Sequence, residues 1–332
     1  MPPEMPALLR ASLRRRETAL AGIILLLMLA IGLRAPVFLT PASLAGLASD
    51  TAILAILVLG QMLVILTRGI DLSVAANMAL TGMLMALLST TQPALPGIAF
   101  LLLGAACGLA LGAINGLLVW RVGIPAIVAT LGTLSIYRGA VFLLTDGRWV
   151  NSNEMSAAFL AFPRQTPLGL DLFTWLAVLA ALALRFVLGE TRFGRTLYAA
   201  GGNPRAAAYT GIDPMRQQFL AFCLSGALAG ACGYLWVSRY AVAYVDTAAG
   251  FELQVIAACV IGGVSIAGGI GSVPGALLGA LFLGVVKNAL PVIGVSPFWQ
   301  MGISGVVIVV AVILNARGEQ RAGRRILRPA AG

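Results

Sequence analysis

The two charged residues whose types and spacing most suggest a functional role lie in a short polar turn, TRGIDLSV at residues 67–74, between two apolar stretches. A lone Arg or Asp in lipid costs roughly 2.5–3.5 kcal/mol, so Arg68 and Asp71 need a structural or a transport role there. Asp71 could cap the next helix of a cytoplasmic hairpin, or the pair could form a gate. The spacing leaves both interpretations open.

Single polar residues also interrupt the apolar stretches. A pathway for a hydroxylated solute needs such side chains, but hydrogen bonds between membrane helices need them too. No ordered set of acidic residues indicates a proton relay. The residues predicted for a translocation pathway or gate are Arg68, Asp71, Asn77, Asn115, Thr130, Tyr137 and Asn288.

The sequence lacks the residues that acid–base catalysis, metal binding and ATP binding commonly use. The chain has no histidine, which removes the commonest general base and metal ligand. Its four cysteines lie in apolar stretches without a CxxC pair and are predicted to be packing residues. Lys287 follows Gly-Val-Val rather than a GxxxxGK[ST] loop, so any ATP must be bound by another subunit. We expect no catalytic residue, no metal and no cofactor on this chain.

The composition requires elements that are stable in lipid. Of 332 residues, 60% are hydrophobic and 10% are charged, and the mean hydropathy is +0.97. A soluble domain carries about a quarter charged residues, which argues against a soluble enzyme, a coiled coil and a disordered chain. We predict an all-α polytopic membrane protein.

About ten transmembrane helices follow from a requirement of roughly 20 apolar residues per crossing. Three crossings, one of them broken, are expected within residues 253–316, where Gly and Pro interrupt the apolar sequence. The other seven are predicted at Thr18–Leu33, Thr51–Leu66, Leu72–Thr90, Ile98–Trp120, Val122–Thr145, Leu172–Leu188 and Gln217–Ser238.

The arginines predict the orientation, because positive residues near membrane helices stay on the cytoplasmic side. Ten crossings with both termini cytoplasmic leave four arginines outside: Arg34, Arg148, Arg164 and Arg239. The fifteen on the cytoplasmic side are Arg10, Arg14, Arg15, Arg16, Arg68, Arg121, Arg192, Arg195, Arg205, Arg216, Arg317, Arg321, Arg324, Arg325 and Arg328. No basic run is interleaved with aromatic residues, so the net charge of +10 indicates membrane orientation and not nucleic-acid binding.

Glycines recur at four-residue spacing, which lets two helix backbones approach closely. The longest ladder predicts tight helix packing at Gly104, Gly108, Gly112 and Gly116, and weaker ladders lie at 226–230 and 271–279. The segment AGGIGSVPG at 267–275 lacks the βαβ context of a dinucleotide site. A discontinuous helix or a tight turn is expected there, and whether residues 262–275 span or re-enter the membrane is open.

Four segments, in order along nearly the whole chain, carry a family resemblance: ILTRGIDLSV (65–74), IPAIVATLGTLSIYRG (124–139), GRTLYAAGGNPRAAAYTGI (194–212) and VIGGVSIAGGIGSVPGALLG (260–279). Together they resemble the sugar-type ABC importer permeases, the family of ribose, xylose, rhamnose and autoinducer-2 permeases. The resemblance implies a multi-pass subunit of the bacterial inner membrane that lies in the lipid bilayer and performs no catalysis itself. It also implies three partners: a second permease subunit, identical or paralogous, a periplasmic sugar-binding protein, and an ABC ATPase that binds ATP and Mg²⁺.

Within residues 189–216 the resemblance implies a short helix that docks onto the ATPase, with an ordinary basic loop as the alternative. Asn203 could cap a helix that starts at Pro204, and Gly211 could end it. The implied organisation is a cytoplasmic tail 1–17, a permease domain 18–316 that contains this loop, and a basic cytoplasmic tail 317–332. The residues implied in coupling are Gly201, Gly202, Asn203, Arg205, Ala207, Tyr209 and Gly211.

The form of the motifs favours one solute. Val74 is followed by Ala75-Ala76-Asn77 where ribose-like members usually have Gly, and with VSPFWQ at 295–300 this most resembles the rhamnose-type permeases. We expect import of rhamnose, with ribose, xylose or autoinducer-2 as alternatives. An ion-coupled secondary transporter is a more distant alternative, because it needs acidic or sodium sites at mid-membrane and Asp50, the one acid counted with the apolar stretches, lies at the edge of its stretch.

Overall fold

The computed structural model describes residues 7–292 and, beyond them, residues 294, 299, 302, 305, 306 and 309. Among these described residues, eight helices are long and apolar enough to cross a membrane. This confirms the all-α polytopic membrane fold, whereas the count of ten crossings and the cytoplasmic termini stay predictions. The tail 317–332 and most of 293–316 lie outside the described residues.

The helices of the described chain follow one another with short connections. In order they are α1 (Ala7–Arg34), α2 (Pro41–Leu66), α3 (Val74–Thr91), α4 (Gly97–Trp120), α5 (Ala126–Thr145), α6 (Ala157–Ala161), α7 (Leu172–Glu190), α8 (Arg192–Gly202), α9 (Pro204–Tyr209), α10 (Pro214–Tyr240), α11 (Phe251–Ile261) and α12 (Val273–Val292). The long apolar ones are α1 to α5, α7, α10 and α12. Two short strands, β1 (Val150–Asn151) and β2 (Val242–Ala243), pair antiparallel.

Most predicted spans agree with the helices to within a few residues, and two helix starts differ for local reasons. Helix α2 begins ten residues before the predicted Thr51, because Thr40 accepts a hydrogen bond from the Ser43 N–H at 3.4 Å and Pro41 suits the first helical position. Helix α5 begins at Ala126 and not at Val122, because Gly123 has φ +79° and Pro125 precedes the helix. Helix α1 already begins at Ala7, within the predicted tail 1–17.

The connections gather at two ends of the bundle. One end, which we name the arginine-rich end, contains residues 67–73, 121–125, 191–213 and 262–272, and side chains from all four segments or their borders meet there. The opposite end contains residues 35–40, 146–171 and 241–250, where β1 pairs with β2. The predicted coupling residues therefore lie at the arginine-rich end.

Helices α4 and α10 pack through their glycines. A Cβ atom built on Gly108 would overlap the Gly226 carbonyl oxygen, and one on Gly104 would lie 2.8 Å from the Gly230 carbonyl oxygen. Further along the same face, a Cβ on Gly112 would overlap a carbonyl of α10, and one on Gly116 would lie 2.8 Å from the Phe219 ring. Two of the glycine ladders thus face each other across an antiparallel helix pair. The third ladder joins α12 to α11, where a Cβ on Gly279 would overlap the Ala258 carbonyl oxygen.

The apolar stretch after α10 contains a short helix followed by irregular backbone. Helix α11 has 11 residues and is about 16 Å long, half of the roughly 30 Å hydrocarbon core. It starts at the opposite end, where the Phe251 ring lies 5.1 Å from the Trp236 ring. The irregular segment 262–272 then reaches the arginine-rich end, where the Gly269 N–H donates to the Leu66 C=O at 2.9 Å. Residues 262–272 therefore continue the path of α11 between the two ends of the bundle in non-helical backbone, and a crossing by this pair stays a prediction.

Candidate functional site

Arg68 joins the end of α2 to the end of α8. Its Nε donates to the Gly201 C=O at 2.6 Å, and its Nη2 donates to the Gly202 C=O at 2.9 Å. The last carbonyls of a helix lack partners within the helix, and a cation beside them opposes the negative end of the helix dipole. The guanidinium therefore holds two of the predicted coupling residues against the turn that follows α2.

Backbone contacts reinforce this junction. A Cβ on Gly201 would overlap the Leu66 carbonyl oxygen, the same oxygen that accepts the hydrogen bond from the Gly269 N–H. From α8, the Tyr198 hydroxyl donates to the Gly271 C=O at 2.8 Å. Three segments that are far apart in sequence therefore meet with almost no space between their backbones.

Helix α8 was not predicted from the sequence, which indicated a long connection with one short helix. Its start is set by Thr191, whose hydroxyl accepts from the Gly194 N–H at 3.2 Å. Leu197 and Gly201 are buried one turn apart on the face that meets the bundle. This cap and this spacing were available signals, but the glycines and arginines of the segment obscured them.

Helix α9 presents a short exposed surface at the arginine-rich end. It starts at Pro204, as predicted, because the Asn203 side chain accepts from the Ala206 N–H at 3.1 Å, and the chain turns at Gly211 with φ +82°. Ala207 is buried beneath the helix, whereas Arg205 and Tyr209 point away from the bundle. Tyr209 is 93% exposed, an unusual exposure for a large aromatic ring. Such a surface is suited to contact with another protein.

A chain of hydrogen bonds lies beyond Arg68 in the same turn. The Asp71 carboxylate accepts from the Ser73 N–H at 2.9 Å and from the Ser73 hydroxyl at 2.7 Å. The Asn115 amide of α4 donates to the Ser73 hydroxyl at 2.7 Å, and the Thr133 hydroxyl of α5 donates to the Asn115 carbonyl oxygen at 2.6 Å. All four side chains are buried. Asp71 is thus the end of a network that joins α4 and α5 to the turn.

The electrostatics of this network centre on one carboxyl group. Burial raises the pKa of Asp71 from 3.8 to about 6, because desolvation outweighs the two hydrogen bonds from Ser73 that favour the carboxylate. Ser73, and not Asp71, occupies the N-cap position of α3. The sequence singled out Asp71 and Asn115 but missed Ser73 and Thr133, which connect them.

Two of the remaining residues predicted for the pathway form hydrogen bonds between helices: Asn77 donates to the Gly108 C=O at 3.1 Å and Tyr137 to the Leu111 C=O at 2.8 Å. The Thr130 hydroxyl donates within α5 to the Ala126 C=O at 2.8 Å and lies 3.2 Å from the Ile70 C=O. These three side chains are buried and surround the network of Asp71. Asn288 instead lies on α12, where its amide donates to the Gly284 C=O at 3.0 Å.

Comparison with known proteins identifies the family of this chain. Residues 43–312 match the family model described as the branched-chain amino acid transport system permease component. The chain belongs to this permease family. It is 37% identical to the ribose import permease protein RbsC of Escherichia coli K12, over 93% of this chain and 96% of the relative. It is 35% identical to the autoinducer 2 import system permease protein LsrC of Shigella flexneri, over 91% of this chain and 87% of the relative. No solved structure matches the chain.

The family confirms the expectation of an ABC importer permease, which is a transport component and not an enzyme. Family membership also implies an ATPase and a binding protein as partners. Among the described residues of the permease, no group of three or more His, Cys, Asp or Glu side chains could hold a metal ion.

The opposite end of the permease carries a separate polar cluster that the sequence did not predict. Arg239 of α10 forms an ion pair with Asp50 of α2 and donates to the Ser49 hydroxyl at 3.0 Å. The Ser49 hydroxyl in turn donates to Asp171, which precedes α7. Arg239, Asp50 and Asp171 border an open cavity of about 360 Å³. The ion pair and the hydrogen bonds join α2 and α10 to the start of α7 at this end.

Proposed function

We propose that this permease forms the membrane pathway of an ABC importer for a small neutral polyhydroxylated solute, a monosaccharide in the first instance. In this proposal the arginine-rich end faces the cytoplasm of a bacterium and the chain lies in the inner membrane. A periplasmic binding protein delivers the solute, and a second permease subunit completes the pathway. ATP and Mg²⁺ are bound by the ATPase and not by this chain.

The observation that supports the proposal is that α9 is exposed, whereas α8, which precedes it, packs against the helix bundle. Arg205 and Tyr209 offer a cation and an aromatic ring to a cytoplasmic partner. The preceding helix α8 ends on Arg68 and on the Leu66 backbone, which belong to the membrane helices. A displacement of α9 by a partner would therefore displace the end of α2, because no unpacked loop lies between them.

In the proposed mechanism, ATP binding and hydrolysis in the partner subunits move α8 and α9. The helix bundle then rocks between outward and inward openings, and the permease makes or breaks no covalent bond. In the described conformation the polar side chains around Asp71 are buried in hydrogen bonds with one another. Opening the bundle would release amide and hydroxyl groups such as Asn115 and Thr133, which suit a sugar hydroxyl.

The choice of solute rests on different support. The sequence motifs favour rhamnose, whereas the named relatives import ribose and autoinducer 2. All of these are small and rich in oxygen, so they share the chemistry that amide and hydroxyl side chains recognise. We keep rhamnose as the first solute to test, with ribose, xylose and autoinducer 2 beside it.

Uptake of radiolabelled solutes tests the proposal. Cells expressing the permease with its ATPase and binding protein should accumulate one of the four solutes, and an inactive ATPase should abolish the accumulation. Uptake that persists without the ATPase but collapses with an ionophore would instead establish a secondary transporter.

Helix α9 provides a direct test of the coupling role. Arg205→Glu should leave the amount of membrane-inserted permease unchanged and reduce ATP-driven uptake at least tenfold, because it reverses the charge offered to the partner. Arg121→Glu is the matched control, since Arg121 is also exposed at the arginine-rich end but lies outside the segment 189–216. Normal uptake by Arg205→Glu would refute the coupling assignment.

A further inference from the structure

Arg68 occupies a backbone conformation that is unfavourable for its residue type. Its φ is +65°, in the left-handed region, at the turn that ends α2. The Arg68 N–H donates to the Ile65 C=O at 2.9 Å, and the Gly69 N–H donates to the Val64 C=O at 3.0 Å. Glycine is the residue that ordinarily fits this position after a helix. A bulky side chain persists in such a conformation where its surroundings hold it.

The surroundings hold Arg68 from the cytoplasmic side of the turn. Its guanidinium donates through two nitrogens to the carbonyls of Gly201 and Gly202, and its aliphatic part lies against Gly268. The planar guanidinium fork suits two adjacent acceptors, whereas a lysine offers one compact donor. The Arg68 side chain therefore joins the turn after α2 to α8 by hydrogen bonds and to the segment 262–272 by packing.

The other side of the same turn contacts the buried helices. Ser73 accepts from Asn115 of α4, whose side-chain oxygen accepts from Thr133 of α5, and the Thr130 hydroxyl of α5 lies 3.2 Å from the Ile70 C=O. Only residues 67–73 separate α2 from α3, so the two sets of contacts lie within one short connection. A displacement of the end of α8 must move this turn, and with it the groups that α4 and α5 bind.

Space for such a movement exists beside the turn. A cavity of about 480 Å³ lies between Arg68, the start of α5 at Ala126, the start of α9 at Pro204 and Gln218 of α10. Gln218 also donates to the Thr67 C=O at 3.3 Å, so α10 contacts the turn as well. The turn and the start of α9 therefore border open space beside the close contact between α8 and α2.

We propose that Arg68 is a positioning residue that transmits the movement of α8 and α9 to α4 and α5 through the turn 67–73. This inference rests on the proposed function and deepens it, because it changes the role of Arg68 from lining a pathway to linking two moving parts. The strut consists of the guanidinium, the two carbonyls of α8 and the hydrogen-bonded turn.

The test uses a substitution that separates stability from coupling. Arg68→Gly relieves the backbone strain but removes both hydrogen bonds, so the thermal stability of the permease should be kept while solute transported per ATP hydrolysed falls at least threefold. The solute transported per ATP hydrolysed by Arg68→Lys should lie between the values for the wild type and Arg68→Gly. Arg121→Gln is the matched control, because Arg121 is exposed at the same end and lies over the Trp120 ring. Its transport ratio should equal that of the wild type.

The measurements are made on the complete complex in proteoliposomes with the solute that passes the uptake test. An unchanged transport ratio in Arg68→Gly would overturn the proposal, as would an equal loss in Arg121→Gln. Hydrogen–deuterium exchange on the purified permease needs no solute: segments 192–203 and 262–272 should exchange faster in Arg68→Gly than in the wild type, and unchanged exchange would refute the strut. If the wild-type complex moves no solute with ATP, the proposed function fails, while the exchange result still tests the contact.

Discussion

Gly108 on α4 is the position where one added methyl group should cost most. A Cβ there would overlap the Gly226 carbonyl oxygen and lie 2.5 Å from the Gly230 Cα and 2.6 Å from its nitrogen. Carbon atoms in contact prefer about 3.5–4.0 Å, so α4 and α10 must separate by about 1 Å. Where α4 is the helix that moves, the Gly108 C=O shifts relative to the Asn77 amide of α3, which donates to it at 3.1 Å.

The expected magnitude follows from these two losses. Overpacking costs about 1–3 kcal/mol, and a hydrogen bond between membrane helices contributes about 0.6 kcal/mol. Because alanine within a helix is itself favoured over glycine by about 0.5–1 kcal/mol, Gly108→Ala should destabilise the permease by about 1–2.5 kcal/mol net. Since one kcal/mol shifts the midpoint of a large domain by roughly 2–4 °C, the melting temperature should fall by about 2–10 °C.

The assay is thermal unfolding of the purified permease in detergent, followed by the loss of monodisperse protein on size-exclusion chromatography. Gly22→Ala in α1 is the matched control, because a Cβ there meets no atom within 4 Å. Alanine in the middle of a helix is favoured over glycine by about 0.5–1 kcal/mol, so this variant should melt at the wild-type temperature or above it. Equal melting temperatures for Gly108→Ala and the wild type would refute the packing argument.

Three further predictions concern the two ends of the bundle. Between about pH 4 and pH 6 the folded permease holds a proton on Asp71 that the unfolded chain has released. The free energy of unfolding should therefore fall by at most about 3 kcal/mol as the pH rises through this range. Asp71→Asn removes the titrating group, so the melting temperature of this variant should change less with pH. Gly201→Ala should lower both uptake and stability because its Cβ would overlap a backbone oxygen of α2, whereas Gly202→Ala, with no atom within 4 Å of its Cβ, should match the wild type in both assays. Asp50→Asn removes an ion pair with Arg239 in which both side chains are partly exposed, so its melting temperature should show a loss of only about 0–1 kcal/mol, and a loss above about 2 kcal/mol would contradict that account.

Hydropathy predicted the long helices because each apolar run must satisfy its backbone hydrogen bonds within itself when it lies in lipid. It missed the first turns of α2, where Ser43, Ser49 and Asp50 lower the local hydropathy although Thr40 and Pro41 start the helix. It also missed α8, whose stability comes from one buried face against the bundle and not from an apolar run. Local signals of helix caps, when read together with hydropathy, recover both of these features.

The partners of each residue were harder to predict than its type. Three glycine ladders were visible in the sequence, but spacing alone could not show that 104–116 pairs with 226–230 while 271–279 packs on α11, because each ladder has the same period. The same limit applies to Arg68 and Asp71. The sequence analysis considered them together, as parts of a capped hairpin or a gate, yet Arg68 binds the carbonyls of α8 and Asp71 binds Ser73, on two sides of one turn. That separation is what allows a seven-residue turn to contact the coupling segment and the buried helices at once, and it depends on chain segments that meet only in the folded bundle.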